Sequence, residues 1–231
     1  MYLVKSPLLL KWYYPTLLWN MPRSDKVIYL TFDDGPIPNV TDFVLKTLKA
    51  FNAKATFFCI GDNIVKHPDV FNRVKNDGHA IGNHTFNHLR GWKTDDETYV
   101  SNFLKCQALT QSTLFRPPYG RIKKSQIKKL KSVALSLNPD PKAPIKNSTS
   151  ADSLQHQIPG TPLKIVMWDV LSGDFDPNLS PEKCFQNVVR HTGKGSIVVF
   201  HDSLKAAERL TYALPKVLTY YSERGYRFEC L

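Results

Sequence analysis

Five short segments, far apart in the chain, carry the residues that could do chemistry. They are Thr31-Phe32-Asp33-Asp34-Gly35, His84-Thr85-Phe86-Asn87-His88, Arg116-Pro117-Pro118-Tyr119-Gly120, Trp168-Asp169 through Asp174, and Val199-Phe200-His201-Asp202. A carboxylate pair, two histidines four apart, an arginine and a late histidine are the parts of a metal-dependent hydrolytic centre. On one helical turn, His84 and His88 share a side, a spacing that chelates one metal ion. The same spacing is common on surface helices, so the weight falls on a third, carboxylate ligand. Two histidines and a carboxylate leave positions open for water and substrate, and suit zinc, cobalt, manganese or iron(II).

Asp33 and Asp34 are adjacent, and in extended backbone their side chains point in different directions. One can bind metal while the other faces the reacting water as base. The competing reading is a solvated turn, since Asp-Asp-Gly-Pro is good turn chemistry; the apolar strand ahead of it argues against that. His201 follows Ile197-Val198-Val199-Phe200 and titrates near neutrality, as a general acid should. Its alternatives are a core histidine or a partner of Asp202. Arg116 also ends an apolar run, where it can pair with a carboxylate and keep it ionised.

These segments need strands to hold them. Lys26–Phe32, Ala55–Ile60, His79–Gly82, Thr113–Arg116, Lys164–Val170 and Ser196–Phe200 read as buried strands, with Tyr226–Cys230 as a last one. Helices alternate with them: one capped by Thr41, one opened by Pro68, one behind a Thr94-x-x-Glu97 capping box, a basic one after Arg116, one opened by Ser180-Pro181, and a last one carrying Leu210, Leu214, Val217 and Tyr221, bent at Pro215. The alternation predicts an α/β fold, a distorted (β/α) barrel of seven to eight units, TIM-barrel-like. Each polar segment falls at the C-terminal end of a strand, where barrel enzymes assemble their sites.

A chain of 231 residues that is 42% hydrophobic fits one domain with a full core. The expected division is an apolar segment at 1–25, packing on or anchoring the domain, and the domain proper at 26–231. A Pro- and Ser-rich insertion at about 133–162, containing His156, is expected to be a surface excursion or lid. Cys59, Cys106, Cys184 and Cys230 are scattered without a Cys-x-x-Cys pair, and read as free thiols. The net charge of +11 favours anionic surfaces. The basic cluster Arg121, Lys123, Lys124, Lys128, Lys129 and Lys131 reads as a solvated helix face, and the aromatic signatures of single-strand RNA binders are absent, so no nucleic acid is expected. The apolar run in Met1–Asn20 is too short to span a bilayer and makes a poor export signal, which leaves membrane-surface contact open and predicts a cytoplasmic or inner-face location.

The combined segments resemble the polysaccharide deacetylase family, carbohydrate esterase family 4, also called the NodB-homology domain. Thr-Phe-Asp-Asp-Gly, His-Thr-x-x-His and Arg-Pro-Pro-Tyr-Gly match its first three motifs as they stand. The resemblance runs from about Val27 to the C-terminus, outside the insertion. It implies that Asp34, His84 and His88 hold a divalent metal, usually zinc and in some members cobalt. It implies Asp33 as base with Arg116 as its partner, His201 as acid tuned by Asp174, and the Tyr119 backbone amide as an oxyanion donor. Two departures stand out: Asp174 is followed by Phe175 where the family commonly has Trp, and Val199 replaces Leu in the last motif. Phe175 and Val199, with Pro118 and Trp168, are the candidate pocket residues.

The implied reaction removes acetyl from the amide nitrogen of N-acetylhexosamine in a peptidoglycan- or chitin-like glycan or its precursor. The alternatives are a related deacylase or deformylase acting on a small or lipid-linked sugar, and a non-catalytic carbohydrate-binding homologue.

Overall fold

The computed structural model describes residues 2–137 and 162–231. Its strands are β1 (Val27–Asp33), β2 (Thr56–Cys59), β3 (Ala80–Asn83), β4 (Leu114–Phe115), β5 (Lys164–Ile165), β6 (Val170–Leu171), β7 (Ile197–His201) and β8 (Arg227–Phe228). They pair in parallel in the order β5-β4-β3-β2-β1-β7-β6, with β8 beside the start of β1. The helices are α1 (Leu8–Tyr13), α2 (Val40–Ala50), α3 (Gly61–Lys66), α4 (Pro68–Asn76), α5 (Asp96–Thr110), α6 (Lys124–Leu137), α7 (Pro181–His191) and α8 (Ala207–Ser222). The architecture is the distorted (β/α) barrel that the alternation predicts.

The period-two alternation of β1 explains how it serves both core and site. Ile28, Leu30 and Phe32 are fully buried and join Val198, Phe200, Leu48 of α2 and Leu214 of α8 in the main core. Tyr29 belongs to a second apolar group with Phe58, Val166 and Ile197. Thr31 and Asp33 continue that side upward, and Arg116 bonds both.

β5 and β6 do not pair with each other, and the N-terminal segment fills the seam. Leu18 bridges Val166 in parallel, while Lys5 bridges Val170 and Asn20 bridges Ser196 in antiparallel fashion. Asp169, fully buried at this seam, accepts bonds from Lys5 (2.8 Å), Lys11 (2.6 Å), Arg23 (3.2 Å) and Ser196 (2.7 Å). Burial opposes its ionisation, but Lys11, Lys5 and Ser196 outweigh that and lower its pKa to about 2. Asp169 therefore ties residues 5–23 to the barrel and stands apart from the reacting centre.

Several local expectations are corrected. Asn39, not Thr41, caps α2, and its amide is bonded by Asp42. The Thr41 hydroxyl instead donates to Asp202, the residue after β7, whose backbone amide bonds the Asp33 carbonyl at the adjoining end of β1. Asp95, not Thr94, caps α5 by accepting from the Thr98 amide. The expected strand Lys164–Val170 is two short ones, split where the chain crosses from β4's side to β7's. α6 runs on to Leu137, so residues 133–137 are helical; the rest of the insertion through Thr161, His156 included, lies outside the described residues. Pro215 sits inside α8, which continues through it. Cys59, Cys106 and Cys184 are buried free thiols, and Cys230 is free and half-buried.

Candidate active site

Strand register brings the five segments together. Asp33 pairs with His201 across β1 and β7, and Asn83 with Phe115 across β3 and β4. The residues that follow those positions, Asp34, His84 and Arg116, therefore emerge on one rim at the C-terminal strand ends.

His84 and His88 meet Asp34, but not on a helical turn. They lie on a loop in which Thr85 (φ 62°) and His88 (φ 55°) take left-handed backbone. Two asparagines hold that loop. Asn83 accepts from the Thr85 amide, and Asn102 of α5 accepts from the amides of Phe86 and Asn87 while donating to the Asn87 side chain. Asp34 is itself left-handed (φ 81°) and is fixed by Asn63, which donates to its carbonyl, and by Asp202, which accepts from the next amide, Gly35 N–H. A Cβ on Gly35 would lie 2.0 Å from Asp202 Oδ2, so that turn requires glycine.

One ligand atom each from Asp34, His84 and His88 lies within 4.8 Å of the others. Asp34 Oδ1 is 3.2 Å from His88 Nε2 and 3.7 Å from His84 Nε2, yet it is buried and satisfied by no hydrogen bond. A buried, unsatisfied carboxylate oxygen facing two imidazole nitrogens is the arrangement a divalent cation completes. His84 Nδ1–H donates to the Arg116 carbonyl at 2.8 Å, which leaves Nε2 as the free donor atom. Burial pushes the His84 imidazole down to about 4 and keeps it neutral, as a ligand must be. Burial resists ionisation of Asp34, but His88, His201 and His84 outweigh it and hold the group well below the usual carboxylate range. The side chains of Asp34 and His88 stay about a quarter exposed (23% and 24%), so the triad opens to solvent. The residues fit a metal ion.

Beside the triad sit two charge pairs. Arg116 is fully buried; Nη1 bonds Asp33 and Thr31 at 2.7 Å each, Nη2 bonds the Met167 carbonyl, and Nε reaches that of Val166. Its guanidinium also lies 4.1 Å over the Phe58 ring. Five contacts leave one orientation, and the carboxylate of Asp33 is presented in it. Asp174, fully buried, grips His201 twice, accepting from its backbone amide and bonding ring Nδ1, each at 2.7 Å. Burial disfavours charge on His201, but Asp174 prevails and pushes it up to about 9. Nδ1 being engaged, Nε2 is the proton-carrying edge.

Tyr119 is exposed, in left-handed backbone (φ 60°), with its ring 4.5 Å from that of His88 and Arg90 4.4 Å over it. The surrounding turn uses the amides of Gly120 and Arg121 and leaves the Tyr119 N–H unused among the described residues. Of the pocket candidates, Phe175 stands edge-on to His201 at 5.2 Å, with Tyr2 behind it at 4.9 Å. Trp168 packs against Gly120, where a Cβ would come within 2.5 Å of its ring. Pro118 and Val199 are buried. Sequence reasoning missed Asn83, Asn102, Asn63, Thr41 and Asp202; Asp202, within the last motif, was legible only as a partner for His201, which it is not. Burial raises Asp202 to about 8, partly offset by its bond to Thr41. A separate cavity of about 260 Å³ beside Lys49, Lys54, Asn76 and His79 lies at the opposite ends of β2 and β3 and takes no part.

The family profile described as polysaccharide deacetylase matches residues 20–137. A peptidoglycan-N-acetylglucosamine deacetylase of Bacillus cereus is 32% identical over 219 residues, covering 91% of this chain and 88% of its own. A chitooligosaccharide deacetylase of Azorhizobium caulinodans is 34% identical over 178 residues, covering 67% of this chain and 84% of its own. The crystal structure of the Bc1960 peptidoglycan N-acetylglucosamine deacetylase, in complex with 4-naphthalen-1-yl-N-oxidanyl-benzamide, superposes with a TM-score of 0.79 at 26% identity, covering 98% and 95% of the two chains. By fold, by motif and by this similarity, the chain belongs to the polysaccharide deacetylase family, carbohydrate esterase family 4.

Proposed function

We propose that this protein is a divalent-metal-dependent hydrolase that removes acetyl from the amide nitrogen of N-acetylglucosamine in a peptidoglycan- or chitin-like glycan. The observation that carries the reading is the unsatisfied Asp34 oxygen facing His84 and His88, with the Asp33–Arg116 and His201–Asp174 pairs on the same rim. The named relatives act on peptidoglycan and chitooligosaccharide, which supports the substrate class.

Asp34, His84 and His88 would hold the metal, with zinc or cobalt suiting the donor set; it would polarise the amide carbonyl and acidify water. Asp33, held in place by Arg116, takes the proton of the attacking water. The free Tyr119 N–H is the donor for the developing oxyanion. His201 gives its proton from Nε2 to the departing amine, and Asp174 stabilises the imidazolium until then. Phe175, beside His201, bounds the space for the acyl methyl group. Retention of every ligand and acid–base position argues against a binding-only homologue.

The test is mass analysis of products from N-acetylglucosamine oligomers, peptidoglycan fragments and formylated sugars, with metal removed and restored. Metal-dependent loss of acetyl is the expected result. Loss of formyl alone would move the chain to the deformylase reading, and glycan binding without product would refute catalysis.

A further inference from the structure

The N-terminal segment closes the barrel seam with one part of its length and exposes the rest. No residue of α1 is buried. Leu8 is 81% exposed, Leu9 71%, Trp12 78% and Tyr13 54%, with Leu3 at 58% nearby. A soluble surface seldom carries so many large apolar side chains on one short element. The segment itself carries charge of one sign, although Asp176 bonds the Tyr2 hydroxyl at its start. Residues 1–24 hold Lys5, Lys11 and Arg23 and no acidic residue. Those three cations share the single carboxylate of Asp169, which leaves the patch positive, and Lys124 of the basic helix α6 lies 4.1 Å over the Tyr13 ring.

We infer that α1 is a docking element for an anionic lipid bilayer. Six residues span about 9 Å, far short of a bilayer crossing, so the helix lies in the interface. Leucines enter the acyl boundary, Trp12 and Tyr13 sit at headgroup depth, and Lys124 of α6, beside Tyr13, meets lipid phosphates. A second copy of this chain fits less well. A twofold contact through α1 would set like charges against each other, since residues 1–24 of neither copy supply an acidic partner.

The experiment is co-sedimentation of the full chain with phosphatidylcholine vesicles, with and without phosphatidylglycerol. A Leu8→Ser/Leu9→Ser/Trp12→Ser variant runs beside it, its fold checked by its melting curve. The wild type is expected to partition onto the anionic vesicles about tenfold or more above the neutral ones, and the variant to lose at least about tenfold. If the variant does not fold, brominated lipid provides the readout: it quenches the wild type more than Trp12→Phe. No binding to anionic vesicles at low salt, equal binding by a folded variant, or equal quenching of Trp12→Phe would overturn the inference. So would a lipid-free dimer that the folded triple substitution abolishes.

Discussion

Replacing Asp174 by Asn keeps the shape of the His201 contact and removes its charge. The Asn oxygen can still accept from Nδ1 across the 2.7 Å contact, while its NH2 replaces the oxygen that accepts from the His201 amide, so that bond is lost together with the counter-ion of the imidazolium. In the wild type, burial disfavours the charged ring and Asp174 overrides it, raising it from 6.5 to about 9. Without Asp174, burial remains and only the smaller contributions of Asp34 and Asp33 still favour the imidazolium, so the group falls from about 9 toward its ordinary value. At about 1.4 kcal/mol per pKa unit, the lost stabilisation of the acid is about 3 kcal/mol. The sign follows from the role. A proton donor works below its pKa and fails as pH rises through it, so the alkaline limb of the kcat profile moves down. A cation bound at Asp34 adds positive charge to both proteins and lowers both limbs together, so the separation between them is diagnostic. The expected separation is at least about two pH units, read from kcat on an N-acetylglucosamine oligomer across the full pH range. Coincident alkaline limbs would refute the assignment of His201 as an acid tuned by Asp174.

Three further outcomes follow from the same contacts. Arg116→Met leaves the buried Asp33 without its partner, and urea unfolding should show a loss of about 3–5 kcal/mol together with lost turnover; a loss under about 1 kcal/mol would mean the pair is solvated. Gly35→Ala forces a methyl into Asp202 and displaces the Asp34 turn, so metal titration should show weakened binding in a protein that still folds, and unchanged affinity would separate Asp202 from the site. Burial, with Lys54 nearby, lowers His79 to about 4; a histidine kept neutral in the fold contributes stability above 6.5 that is lost as pH falls toward about 4. Metal-free His79→Gln should therefore show a flatter melting temperature between pH 7 and pH 5 than the metal-free wild type, and parallel curves would contradict this.

What was legible in the sequence was set by local pattern. Parallel strands buried on both faces read as near-continuous apolar runs, which placed β1, β2 and β7 and hence the rim on which Asp33, Asp34 and His201 stand. Arg116 was legible because a guanidinium ending such a run needs a carboxylate, and Asp33 is that carboxylate. The His84–His88 loop was misread as helical because the spacing is the same, while the left-handed residues that shape the loop are Thr and His rather than Gly. Its supports depend on distance: Asn102 comes from α5, and Asp202 reaches Gly35 and Thr41 across more than 160 positions of chain. Asp169 shows the converse. It lies inside a motif segment, yet its partners are Lys5, Lys11 and Arg23, which no local pattern links to it.

The central claim is that Asp34, His84 and His88 bind the metal while Asp33 performs proton transfer beside it. Its most direct test measures zinc occupancy and deacetylation together in the wild type, His84→Ala and Asp33→Asn after stripping and metal add-back. The account predicts that His84→Ala loses both, whereas Asp33→Asn keeps the metal and loses turnover. Full metal occupancy in His84→Ala, or sustained turnover in Asp33→Asn, would contradict it.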